Sequence, residues 1–324
     1  MSRTEKMKSE NKRIGILTGP TATGKSQIAL EFAEKLGNVE IINADSLLVY
    51  RLMNIGTAKP STEELRRVPH HLVDILNPNE PFTAGEFSRA ARSAIEKIES
   101  KGKRALIVGG TGFYLKALLF GIWDAPATQP EIRKRLEGVS NPDLYSQVHQ
   151  IDPRAAEKIG RADRYRLIRT IEIFETSGKT PTELEEQSPT EPDPAFELWI
   201  LDRPTEELHR RIHQRTQQML SQGLVQEYEE IVRLFPECRA LKAIGYAQVS
   251  AYLKNERPAG RKPPIGMAGL QSEIELATRQ LVKAQRTWFN GFCKKGVHSK
   301  RFVLDQDKSL LDLELERMYG ESHE

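Results

Sequence analysis

The stretch Gly19-Pro20-Thr21-Ala22-Thr23-Gly24-Lys25-Ser26 fits the spacing G-x-x-x-x-G-K-[ST]. Residue types in that order make an anion site. The glycines let the backbone fold close around a phosphate, successive N–H groups and a helix N-terminus face it, Lys25 adds a point charge, and the Ser26 hydroxyl can ligate Mg²⁺. Alone, the pattern is a nucleotide-binding signature, ATP included, and it specifies phosphate without specifying the reaction. The next residue that could do chemistry is Asp45, in Ile41-Ile42-Asn43-Ala44-Asp45-Ser46. Three roles are open to it: a metal-linked aspartate of a nucleotide hydrolase, a substrate-binding base of a small kinase, or a solvated loop residue. Gly109-Gly110 stands where a hydrolase would place its metal aspartate, which weakens the first role.

These residues need a scaffold that brings them to one edge. Arg13 to Thr18 is a short apolar run ending in turn residues, and Ile28, Ala29, Phe32, Ala33 and Leu36 then mark one face of a helix closed by Gly37. Buried-strand patterns recur at Val39–Ile42, Arg104–Val108 and Glu197–Leu201. Strand and helix alternate, so the spacing predicts an α/β fold with a doubly wound parallel sheet and ligands at the carboxyl ends of its strands. The prolines crowd residues 123–195, whose interior reads as helical, most clearly where Asp163 precedes Leu167, Ile168, Ile171 and Phe174 and Gly178 closes the segment. The expected organisation is a phosphate-loop core of residues 1–122 and 196–324 with a small helical insertion at 123–195. Helices are expected from a Thr205 cap to Gly223 and over Leu270–Phe289, with a mobile Pro- and Gly-rich loop over 255–269.

Composition narrows the class by exclusion. The chain has 324 residues, a formal charge of +3 and no apolar run near the roughly 20 residues that span a membrane. Met1–Arg13 is charged and has no apolar signal core, so the chain is expected in the cytoplasm. Cys238 and Cys293 lack metal or disulfide spacing. The net charge argues against a bulk polycation, but Arg161, Arg164, Arg166 and Arg169 crowd one segment and Arg203, Arg210, Arg211 and Arg215 another.

Taken in order, the motifs resemble the tRNA dimethylallyltransferase (tRNA isopentenyltransferase) family, bacterial type. The matching stretches are Gly19–Ser26, Asp45–Arg51, Ile55–Pro60, Pro69–Asp74, Gly109–Tyr114, Arg166–Arg169 with Glu172, Arg211–Arg215, Ile244–Tyr246, and Thr278–Gln280 running to Thr287-Trp288. The resemblance implies transfer of a dimethylallyl group from dimethylallyl diphosphate to the N6 amine of the adenosine just 3′ of a tRNA anticodon, position 37. It implies Mg²⁺ as cofactor, the anticodon stem-loop as partner, and a protein acting as a monomer away from membranes. Gly19 to Ser26 with Arg211 would hold the diphosphate, Ser26 the Mg²⁺, and Asp45, Thr23 and Arg215 would be catalytic, Asp45 by taking the amine proton. Asp45, Ser46, Leu47, Leu48, Thr111, Arg166, Arg169, Lys242, Gly245 and Tyr246 would meet tRNA.

Other readings stand beside these. Arg211 and Arg215 lie one helical turn apart and could be a solvated face. Glu172 and Glu175 could simply pair with Arg166 and Arg169. His70 and His71 are adjacent, so a strand cannot aim both at one metal. Tyr50, Tyr114, Tyr246 and Trp288 are core or stacking aromatics. Leu52, Asn54, Ala284 and Asn290 depart from the family, which often has Gly and Asp at the first two positions and Arg at the others. A P-loop kinase or NTPase, and a prenyltransferase for free adenine nucleotides, are the rival functions.

Overall fold

The structure is a computed structural model and describes residues 13–123, 126, 128–187, 189, 191–256 and 266–320. Six strands form one sheet: β1 Ile14–Thr18, β2 Val39–Asn43, β3 His70–His71, β4 Arg104–Val108, β5 Phe196–Asp202 and β6 Ser299–Val303, in the order β3-β2-β4-β1-β5-β6. Every pairing is parallel. Because crossover helices cover both faces, β1, β4 and β5 are buried almost throughout, which is why they read as unbroken apolar runs rather than alternating ones.

The helices, in chain order, are α1 Lys25–Leu36, α2 Thr62–Arg67, α3 Ala84–Glu99, α4 Gly112–Phe120, α5 Pro130–Glu137, α6 Asn141–Ile151, α7 Pro153–Lys158, α8 Arg164–Ser177, α9 Pro181–Glu186, α10 Thr205–Ser221, α11 Leu224–Leu234, α12 Tyr246–Leu253, α13 Gly266–Lys294 and α14 Leu304–Tyr319. Leu17, Ile41, Leu106, Val108, Trp199 and Leu201 form one core with Ala29, Phe32 and Ala33 of α1 and Leu311, Leu315 and Tyr319 of α14. Ile16, Ile42 and Ile107 point the other way, and α3 packs its Phe87, Ala91 and Ile98 against β2 and β4. Gly37 closes α1 at φ 70°, as its position in the sequence suggests.

The chain divides into two compact units, residues 1–119 with 192–324, and residues 120–191. Among the described residues the smaller unit's elements are all helices, α5 to α9, around Leu136, Leu144, Val148, Ala156, Leu167 and Ile171. Asp163 caps α8 through a hydrogen bond from the Arg166 N–H at 3.2 Å, and Gly178 ends it at φ 68°. Two buried carboxylates tie this unit together. Glu172, fully buried, accepts from Gln129 N at 2.7 Å, Arg133 Nε at 2.9 Å and Arg169 Nη1 at 2.5 Å. Asp152 caps α7 through Ala155 N at 2.9 Å and holds Thr182 on α9 through its hydroxyl at 2.8 Å.

Several expectations change. The edge strands β3 and β6 escape the sequence reading, the first because it is two residues long, the second because Ser299, Lys300 and Arg301 mask its pattern. Pro204, not Thr205, occupies the cap position of α10, and α13 begins at Gly266, so the expected loop over 255–269 is shorter at its far end. Its stretch 257–265, with Arg257, Arg261 and Lys262, lies outside the described residues. Among the described residues, no helix is long and apolar enough to cross a membrane.

Candidate active site

The loops leaving β1, β2 and β4 meet at the carboxyl edge of the sheet. Gly24 turns the phosphate-type loop into α1 at φ 95°, a conformation that favours glycine, and Ala22 also lies in the left-handed region at φ 67°. Thr23 is fully buried and its hydroxyl donates to the Pro20 carbonyl at 3.0 Å. Through that bond the hydroxyl shapes the loop from within. Lys25 Nζ donates to the same carbonyl at 3.3 Å, while Ser26 is exposed on the first turn of α1. Behind the loop, the Thr18 hydroxyl donates to the Gly109 carbonyl at 2.7 Å.

Asp45 follows β2 in a tightly braced turn. Asn43, buried, accepts from Asp45 N at 2.8 Å and donates from Nδ2 to Leu72 O at 2.9 Å and Asp45 O at 3.0 Å. The Asp45 Oδ1 accepts from Leu47 N at 2.9 Å, and the carboxylate charge acts on Lys25 and Arg215. Thr111 joins this turn to the end of β4: its hydroxyl accepts from Ser46 N at 3.0 Å and its N–H donates to Ala44 O at 3.2 Å. The two strand ends approach so closely that a Cβ at Gly109 would fall 2.2 Å from the Ala44 carbonyl carbon, which excludes an aspartate there.

Arg211 and Arg215 of α10, with Arg203 just ahead of it, converge on the loop instead of forming a solvated face, whereas Arg210 stays exposed and pairs with Glu207. Arg211 Nε donates to Ala22 O at 2.7 Å, Arg203 Nε to Thr23 O at 2.8 Å, and Arg215 reaches Thr21 Oγ1 and Thr57 O, each at 3.2 Å. Burial pushes the Lys25 ammonium down to about 8, the Asp45 carboxylate opposing this and Arg215 adding to it. Burial likewise lowers Arg215, against the pull of Asp45, and it lowers Arg211, with help from Arg203. A set of cations held close, partly desolvated and mutually repelling is stabilised by a multivalent anion.

Three further groups, not singled out by the sequence, complete the edge. Glu227 on α11 accepts from Asn54 N at 2.8 Å, Ile55 N at 2.7 Å and Gly56 N at 3.0 Å, fixing the loop that carries Thr57. Arg286 on α13 binds Asp202 at 2.8 Å and the Arg203 carbonyl at 2.8 Å. Gln285, beside it, spans Thr21 N and Gly110 O. None has a local sequence signal, since the backbone partners of Glu227 and Gln285 lie 171 to 264 residues away and the Arg286 partners Asp202 and Arg203 lie 84 and 83 away.

The other expected residues are placed as follows. Tyr246 is fully buried and its hydroxyl donates to Glu227 at 2.7 Å, so its side chain supports the loop over 54–56. Burial and the Glu227 charge push that phenol well above its usual range. Tyr114 stacks on Phe87 at 4.4 Å in the core, whereas Trp288 is 40% exposed beside Gly112. Lys242 is exposed; Gly245, at φ 94°, precedes α12; Leu47 and Leu48 are half-buried. In the helical unit, Arg169 is committed to Glu172 and to Pro126 O at 2.7 Å, while Arg166 is exposed beside Asp163. Glu175 pairs with Arg135 rather than with either of them. His71 Nε2 meets Glu40 at 2.7 Å and His70 Nδ1 meets Val68 O at 2.7 Å.

A doubly wound parallel sheet whose carboxyl edge pairs an arginine-ringed phosphate loop with an opposing carboxylate is built for group transfer from a phosphate-bearing donor. The IPP transferase family model matches residues 48–292, and the chain belongs to that family. It is 41% identical over 281 residues to the tRNA dimethylallyltransferase 1 of Citrifermentans bemidjiense, covering 86% of this chain and 89% of that protein. With the tRNA dimethylallyltransferase of Synechococcus elongatus it shares 38% over 276 residues, 85% and 86% of the two chains. The crystal structure of a tRNA isopentenylpyrophosphate transferase from Staphylococcus epidermidis superposes with a TM-score of 0.62 at 29% identity, covering 94% of this chain and 99% of that one. A eukaryotic dimethylallyltransferase acting on tRNA gives a TM-score of 0.77 at 24% identity, over 94% and 78% of the chains, a likeness of fold. The chain is therefore an enzyme of the prenyltransferase class.

Proposed function

We propose that the protein transfers a dimethylallyl group from dimethylallyl diphosphate to the N6 amine of adenosine 37 in tRNA and releases diphosphate. The observation that carries this reading is the meeting of two half-sites at one sheet edge. One is cationic and partly desolvated; the other is a carboxylate close enough to shift the pKa of Lys25 and Arg215. The loop N–H groups, Lys25, Arg203, Arg211 and Arg215 would hold the diphosphate and stabilise the charge that gathers on it as the allylic C–O bond breaks. The electron pair of that bond leaves with the diphosphate. N6 forms the new N–C bond, and its proton passes to the Asp45 carboxylate, because a neutral aromatic amine is a poor nucleophile.

Among the described residues no group of His, Cys, Asp and Glu could cage a metal, but the exposed Ser26 hydroxyl beside the loop suits an ion that takes most of its ligands from phosphate oxygens and water. Mg²⁺ bound there would neutralise charge on the leaving diphosphate. Asp45 to Leu48, Thr111, Lys242 and Gly245 stand as the core's contacts to the anticodon loop. The helical insert stands as an RNA-binding unit led by Arg166, in a monomer working where tRNA resides, in the cytoplasm. Incubation with radiolabelled dimethylallyl diphosphate, Mg²⁺ and undermodified tRNA is expected to place label on the RNA; label-free RNA at stoichiometric enzyme contradicts the proposal.

A further inference from the structure

Gln285 occupies an unusual place: one amide group joins the phosphate loop to the end of β4. Its Oε1 accepts from Thr21 N at 2.9 Å and its Nε2 donates to Gly110 O at 2.9 Å. Both bonds are internal to the larger unit, and both partners belong to loops that carry the site. On one side, the Thr21 hydroxyl accepts from Arg215. On the other, Gly110 leads straight into Thr111, whose hydroxyl takes the Ser46 N–H beside Asp45. The spacing is tight, since a Cβ at Gly110 would fall 2.7 Å from Gln285 Nε2 and 3.5 Å from Lys25 Nζ. The amide also has a fixed orientation: Thr21 N can only donate and Gly110 O can only accept, so each end of the side chain has one workable partner. Its carrier, α13, is anchored one residue later by Arg286 on Asp202 and Arg203 O.

We infer that Gln285 is a positioning residue that sets the distance between the diphosphate half-site and the Asp45 half-site, through a chain running Thr21, Gln285, Gly110, Thr111, Ser46, Asp45. The inference rests on the proposed transfer reaction for its kinetic readout. Transfer needs the allylic carbon and the amine held in line, and a displacement near 1 Å can lower the rate about 100-fold while each substrate still binds.

Two variants test this. Gln285→Ala removes both bonds, and kcat is expected to fall about 10- to 100-fold with KM for either substrate changed less than threefold. Gln285→Glu keeps the acceptor for Thr21 N but sets a carboxylate against the Gly110 carbonyl. Its kcat relative to wild type is expected to be low at pH 8 and to rise at least fivefold toward pH 5, as protonation restores an O–H donor to Gly110 O. A merely structural role would not produce that pH-dependent ratio. A kcat for Gln285→Ala within threefold of wild type, or a Gln285→Glu ratio that does not change with pH, overturns the inference. If the wild-type protein prenylates no RNA, the proposed function fails and the brace is judged by amide hydrogen exchange: Gln285→Ala must then lose protection at the Thr21 and Thr111 N–H groups, and unchanged protection at both rejects it.

Discussion

Lys25 illustrates how single residues in the site trade stability for binding. An ammonium lowered from 10.5 to about 8 in the folded chain disfavours folding fully below pH 8 and not at all once both states are neutral, so the fold gains stability as pH rises through that window. A bound diphosphate reverses the shift by favouring the charged amine. Affinity for inorganic diphosphate is therefore expected to hold below pH 8 and to fall by up to about tenfold per unit above it, whereas Lys25→Met binds weakly with a flatter profile. Isothermal titration at several pH values checks both. Leu52 shows strain of another kind: it has φ 66°, in the left-handed region that a branched side chain rarely adopts. Its neighbours Asn54, Ile55 and Gly56 are held by Glu227, which keeps that turn in place.

Among the elements, the helical insert depends on Glu172. Burial alone would raise this carboxyl, yet hydrogen bonds from Arg133, Arg169 and Gln129 N hold it below the usual carboxylate range. Its stabilising contribution is thus present above about pH 4.5 and is lost as pH falls through the lower folded-state value. Glu172→Ala leaves two arginines without their partner and is expected to cost about 3 kcal/mol. Hydrogen exchange should show lost protection over residues 130–177 while β1, β4 and β5 stay protected; an unchanged insert would contradict that assignment. Sequence made much of this level legible. The Gly37 and Gly178 stops, the Asp163 cap and the buried runs of β1, β4 and β5 are local signals, and local physics decides them. The site's supports were not legible. Glu227, Arg286 and Gln285 act across long sequence separations, and the basic face of α10 could be told from a solvated one only when Arg211 and Arg215 were seen to reach the loop.

For the molecule as a whole, the near-neutral charge hides an uneven use of arginine. Arg164 bonds the carbonyls of Leu136, Glu137 and Val139 at 2.6 to 2.9 Å and Arg169 is held by Glu172, so two of the four clustered arginines brace the insert from within. Arg166, with its side chain 65% exposed, remains open to a phosphate. Filter-binding titrations of tRNA across salt concentration should then show Arg166→Ala lowering the logarithmic salt slope by about 1, while Arg164→Ala leaves the slope unchanged and lowers the melting temperature. Equal slope losses would mean that Arg164 also reaches RNA. The central claim is that one sheet edge joins diphosphate departure to amine attack on tRNA. Nucleoside mass spectrometry tests it most directly, on undermodified tRNA and adenosine monophosphate offered together with dimethylallyl diphosphate and Mg²⁺ to wild type and Asp45→Asn. The account predicts N6-dimethylallyladenosine beside the anticodon with wild type, at least 100-fold less with the variant, and none on the free nucleotide. Product on the free nucleotide alone, or full activity in Asp45→Asn, would contradict it.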